Sequence, residues 1–194
     1  MDMERGYLYL LVGALLTASI LLPFNLDFIP FISLDFFGYV LILLGIREMR
    51  TSSKELKNAF SFAVATLALR FILRLLPIPT GPAAPFYDIF PILSIFFAVG
   101  IFFWLFKAEY MWSPHTTKRI DWLMYSIVAL IRLVIYGIIM FPTVSLRMMP
   151  PNLFMSIFEG FQFVNFLYYA VLIYILVKLY LEARRNSPGL KRWN

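Results

Sequence analysis

Four arginines, Arg70, Arg74, Arg132 and Arg147, and four acids, Asp27, Asp35, Asp88 and Glu159, stand within or beside long apolar runs. A charge at mid-bilayer costs at least about 2.5–3.5 kcal/mol on insertion scales, so each such group needs a partner, water or a ligand. Arg70 and Arg74 lie one turn apart on one helix face. Arg132 is about nine residues from the outer end of its run, about 14 Å, which exceeds the roughly 6–7 Å a side chain can reach. Tyr125 and Tyr136 share its face, and Glu159, Gln162, Asn165 and Tyr169 form a slowly rotating polar stripe. Two readings follow. In one, Arg70, Arg74 and Arg132 hold a carboxylate or phosphate, while Asp27, Asp35 and Glu159 hold a cationic part or carry protons. Gln162, Asn165 and Tyr136 complete that ligand-binding set around an outward-facing polar cavity. In the other, the same charges pair only to fix helix register.

Catalytic patterns are missing. With no Cys there is no thiol nucleophile, disulfide or thiolate metal site, and a single His, His115, cannot build a histidine metal cage. His115 and Asp121 in HTTKRID miss the His-x4-Asp acyltransferase spacing by one residue, and are expected on a solvated loop. No Gly-x-Ser-x-Gly elbow, P-loop or His/Glu zinc pattern is present. The spacing of Asp27 and Asp35 does not demand an acid–base pair. The expectation is a non-enzyme without cofactor or metal.

Composition says what must position these residues. The 194-residue chain is 61% hydrophobic, 19% aromatic and 14% charged, against about 25% charged in ordinary soluble domains. One soluble core cannot hide that excess, so lipid is the solvent for much of the surface. A net charge of +6 raises the question of nucleic acid, but the bases fall between apolar runs, which argues against it.

Six apolar segments read as transmembrane helices: 7–22, 34–46, 59–76, 89–106, 122–141 and 156–177. The connections alternate. Arg47–Lys57, Lys107–Asp121 and the tail 178–194 are basic; 77–85 carries no charge and 142–151 only Arg147. Positive-inside asymmetry then gives one all-α integral membrane domain over 1–194, a six-helix bundle with both termini in the cytoplasm. The N-terminal segment is charge-mixed and runs straight into further apolar residues, which fits an uncleaved first helix. Between the first two spans, an aromatic turn with Asp27, Pro30 and Asp35 is expected to be irregular or re-entrant, tolerated where protein buries it.

The run FNLDFIPFISLDFFGYVLILLGIREMR, at Phe24, Asn25, Asp35, Phe36, Gly38, Tyr39, Leu41, Ile42, Gly45 and Ile46, resembles the first hairpin of a family of small integral membrane proteins from Gram-positive bacteria. Leu34 stands where that family has Pro, and the likeness covers the first third of the chain. It implies a multi-pass protein of the bacterial cytoplasmic membrane and no particular activity. Ala14 and Ala18 also resemble the Ala-x-x-x-Ala motif of substrate-capturing subunits of energy-coupling-factor transporters, six-span proteins of similar size. That likeness implies partner membrane subunits, although small-x-x-x-small spacing recurs in unrelated membrane helices. The expected partners are membrane lipids, a small anionic solute and such subunits. The expected function is binding or transport of that solute or of a lipid headgroup, with a structural or regulatory membrane protein as the alternative.

Overall fold

The computed structural model describes residues 3–18, 34–49, 53–75, 89–140 and 150–186. Every element among them is an α-helix: α1 Met3–Ala18, α2 Leu34–Glu48, α3 Lys54–Leu75, α4 Ile89–Trp112, α5 Thr116–Met140 and α6 Pro151–Arg185. Four of these, over Lys54–Leu73, Ile89–Trp112, Thr116–Gly137 and Met155–Arg185, are long and apolar enough to cross a membrane. The chain is a helical membrane protein.

Local chemistry sets the helix ends. Ser53 caps α3, its Oγ accepting the Leu56 backbone N–H at 3.2 Å. Pro151 opens α6 at its first position, where a missing N–H costs nothing. Helix α4 ends at Trp112, and a short turn through Ser113 and Pro114 leads into α5, with the His115 carbonyl accepting the N–H groups of Lys118 and Arg119. The connection expected over Lys107–Asp121 is therefore mostly helical, because apolar packing continues past the basic residues at both ends. Lys178–Arg185 of the expected tail likewise continues α6.

Each helix packs on its chain neighbours, and α6 closes onto α1, so the six form a ring in chain order. Helices α1 and α2 meet most closely. A Cβ added at Gly13 would stand 2.6 Å from the Gly38 carbonyl oxygen, and one at Gly45 would stand 2.7 Å from that of Gly6. Gly6 thus opposes Gly45 and Gly13 opposes Gly38, an antiparallel seam of backbone against backbone. Lipid is as apolar as Leu, so such intimate packing supplies the attraction between helices. Ala14, on the same helix, is fully buried inside this chain. Elsewhere large side chains fill the ring: Ile101, Leu105, Phe106, Tyr125, Leu172 and Leu176 are almost wholly enclosed.

Alternation of helix direction puts two polar layers in this apolar interior. Thr17, Asp35, Arg70, Ser94, Arg132 and Asn165 are gathered towards one end. Tyr7, Glu109, Lys118, Asp121, Lys178 and Glu182 are gathered towards the other. Along α6 the layers are about 20 Å apart, at about 1.5 Å per residue.

Candidate functional site

The first layer begins with Asp35, in the first turn of α2, where a carboxylate suits the helix dipole. Arg70 donates to it through Nη1 at 2.8 Å and to Ser94 Oγ through Nε at 2.9 Å, joining α2, α3 and α4. The Arg70 guanidinium also lies 5.6 Å from the centre of the Tyr39 ring. This arginine has its carboxylate.

Arg132 is handled differently. It is only 7% exposed, and its guanidinium carbon lies 4.1 Å from the centre of the Tyr168 ring and 5.3 Å from that of Tyr169. A desolvated cation on an aromatic face gains about 2 kcal/mol or more, which goes far towards offsetting a mid-bilayer charge. The rings cannot satisfy N–H donors, however. Arg132 Nε has no hydrogen-bond partner, and no carboxylate of the described residues pairs with this side chain. A buried donor left unmade costs about 1–3 kcal/mol, and more when charged. Asn165 is 8% exposed, and its Oδ1 is also unpartnered.

The two rings are themselves fixed. Tyr125 donates to the Val99 carbonyl at 2.9 Å, and its hydroxyl lies 2.9 Å from that of Tyr168. Tyr125 has spent its one proton, so Tyr168 is the donor between them. Tyr169 donates to the Thr17 carbonyl at 3.3 Å, across the α1–α6 seam. Tyr39 and Tyr169 lie within electrostatic range of both guanidiniums, so Arg70 and Arg132 belong to one cluster. Among the described residues it carries two guanidiniums against one carboxylate.

Against expectation, the polar stripe on α6 divides. Glu159 and Gln162 are exposed, whereas Asn165 and Tyr169 are buried, because steps of three residues drift around a helix of 3.6 per turn. Tyr136 is buried and packs on Phe161 with ring centres 5.6 Å apart. The Arg74 side chain, Asp27, Asp88 and Arg147 lie outside the described residues. Arg70, Asp35, Arg132 and Asn165 are brought together; Glu159 and Gln162 are not part of the interior group. Ser94 and Tyr168 were not singled out by sequence, since a lone Ser or Tyr in an apolar helix carries no signal until the helices pair.

The second layer was also not expected. Tyr7 donates to Glu109, which also takes a bond from Lys118 Nζ at 3.0 Å; Lys118 lies 3.7 Å from Glu182, and Lys178 lies 2.5 Å from Asp121. Glu109 and Asp121 are buried, so Asp121 is not the solvated loop residue expected, although His115 is exposed. The layer ties α1, α4, α5 and α6 together. Its charges find partners within it.

No protein-family model, curated protein or solved structure matches the chain.

Proposed function

We propose that this chain is a six-span bundle of a bacterial cytoplasmic membrane, with both termini inside, that binds a small anionic solute or lipid headgroup in its outward-facing polar layer. The observation that carries this reading is Arg132: buried, held by two tyrosine faces, and with its Nε donor unpartnered. Arg70 is a supporting charge rather than a second anchor, because Asp35 and Ser94 already occupy it. The six spans, the orientation and the membrane rest on the alternating basic and uncharged connections and on the first-hairpin resemblance. Transport would require partner membrane subunits, since the chain carries no energy-coupling motif.

Native mass spectrometry of the gently purified protein tests this reading. One bound anion or one particular lipid per chain, lost from Arg132→Gln, is the expected result. Bulk lipid alone, unchanged by that substitution across several detergents, refutes it.

A second reading has its own observation. The Arg70–Asp35–Ser94 network is complete within the protein, as a device that only locks three helices would be. On that reading Arg132 would be a further packing element. No ligand would then be found in any state.

A further inference from the structure

Two buried polar atoms in the outer layer lack partners, and they are of opposite kind. Arg132 Nε is a donor and Asn165 Oδ1 is an acceptor. Asn165 precedes Tyr168 and Tyr169 by one turn of α6, on the face that holds the Arg132 guanidinium. The Tyr168 and Tyr169 rings meet at 81°, so the planar guanidinium lies flat on at most one of them, and the donor left over is the Nε–H on its forked edge. That edge matches a planar or forked pair of anionic oxygens. The Asn165 oxygen asks for an O–H or N–H within the same ligand.

Charge argues against a cationic donor. Among the described residues Asp35 pairs with Arg70, and no carboxylate pairs with Arg132. An ammonium on Asn165 would add positive charge beside Arg132, whereas a hydroxyl would not. We infer that the ligand is a hydroxylated anion, either a small hydroxy-carboxylate or a glycerol phosphodiester headgroup, with its anion on Arg132 and its hydroxyl on Asn165. This inference rests on the anion-binding reading above and adds the second contact.

Matched pairs of probes test it on the delipidated full-length chain. Lactate is compared with propionate by thermal shift and titration, and phosphatidylglycerol with phosphatidylpropanol in nanodiscs. Each pair shares its charge and differs in the hydroxyl. An unpaired buried acceptor should make the hydroxylated member bind about tenfold or more tightly, and Asn165→Leu should erase that preference while anion binding survives. A preference confined to the lactate pair identifies a free acid, and one confined to the lipid pair identifies a headgroup; either supports the inference. Equal binding within both pairs, still dependent on Arg132, overturns the inference and leaves the anion reading standing. No binding, or binding indifferent to Arg132→Gln, overturns both. Should Arg132→Gln fail to assemble, Arg132→Lys keeps the charge but loses the fork, and should weaken the preferred ligand by a similar factor.

Discussion

Replacing Gly13 by Ala should destabilise the bundle, whereas replacing Gly137 should not. At Gly13 the new Cβ would lie 2.6 Å from the Gly38 carbonyl oxygen and 2.8 Å from the Ile42 side chain. A comfortable carbon–oxygen contact is about 3.3–3.6 Å, and the obstacle is backbone, so α1 and α2 must separate by about 0.7 Å or more. A gap of about 0.5–1 Å forfeits a quarter to a half of each van der Waals well along the seam. Overpacking of this kind costs about 1–3 kcal/mol. Against it stands the better helix propensity of Ala, about 0.8–1 kcal/mol, leaving a net cost of up to about 2 kcal/mol. Gly137 has no heavy atom within 4 Å of an added Cβ, so only the propensity gain remains and the sign reverses. Unfolding by SDS titration in mixed micelles, followed by tryptophan fluorescence, compares both variants with the parent. If Gly13→Ala is as stable as Gly137→Ala, the close α1–α2 seam is not how these helices pair.

Three further outcomes follow from the polar layers. Lys118→Ala removes the cation from buried Glu109 and should cost about 3–5 kcal/mol, whereas Glu109→Gln, which keeps a shape that can bond Tyr7, should cost less in the same titration; the reverse order would refute the assignment. Lys178→Ala should be worse than Asp121→Ala, because it strands a buried carboxylate while a freed Lys178 can snorkel to the headgroups; equal melting temperatures would contradict this. Asp35→Asn combined with Arg70→Gln should be less damaging than the sum of the two single changes, by about 0.6–1.7 kcal/mol, the range for polar contacts between membrane helices. Strict additivity would mean that the pair is not coupled.

Much of this was legible from the chain. The apolar runs locate all six described helices, and the penalty on buried charge picks out Arg70, Asp35 and Arg132 without any neighbour information. Asn165 was found by the same logic, but Glu159 and Gln162 were grouped with it because residue spacing alone does not say where a drifting stripe leaves the interior. The Gly6, Gly13, Gly38 and Gly45 seam was present as seven-residue spacing on two adjacent helices, a signal that becomes specific only once their antiparallel pairing is known. Glu109, Asp121 and Lys118 were hidden for a different reason. They sit among basic residues near a turn, where charge ordinarily means solvent, and only the extension of α4, α5 and α6 past their apolar cores buries them.

The two arginines are held in different ways. A guanidinium can be kept in a membrane bundle by a carboxylate or by aromatic faces, and the two solutions leave different surfaces behind. Asp35 takes one N–H of Arg70 and Ser94 another, so the cation is stabilised and two of its donors are used. Tyr168 and Tyr169, two rings at 81° to one another, stabilise Arg132 by attraction to their quadrupoles, and Nε–H stays without a hydrogen-bond acceptor. Those tyrosines are held in turn by Tyr125 and by the Thr17 carbonyl, so the edge of Arg132 is presented by a rigid frame reaching α1, α4, α5 and α6. If fixing helix register were the whole purpose, a carboxylate near Arg132 would do it with stronger and more directional bonds. Holding the cation by aromatic rings leaves Nε–H unpartnered, which is the donor that the proposed anion would take.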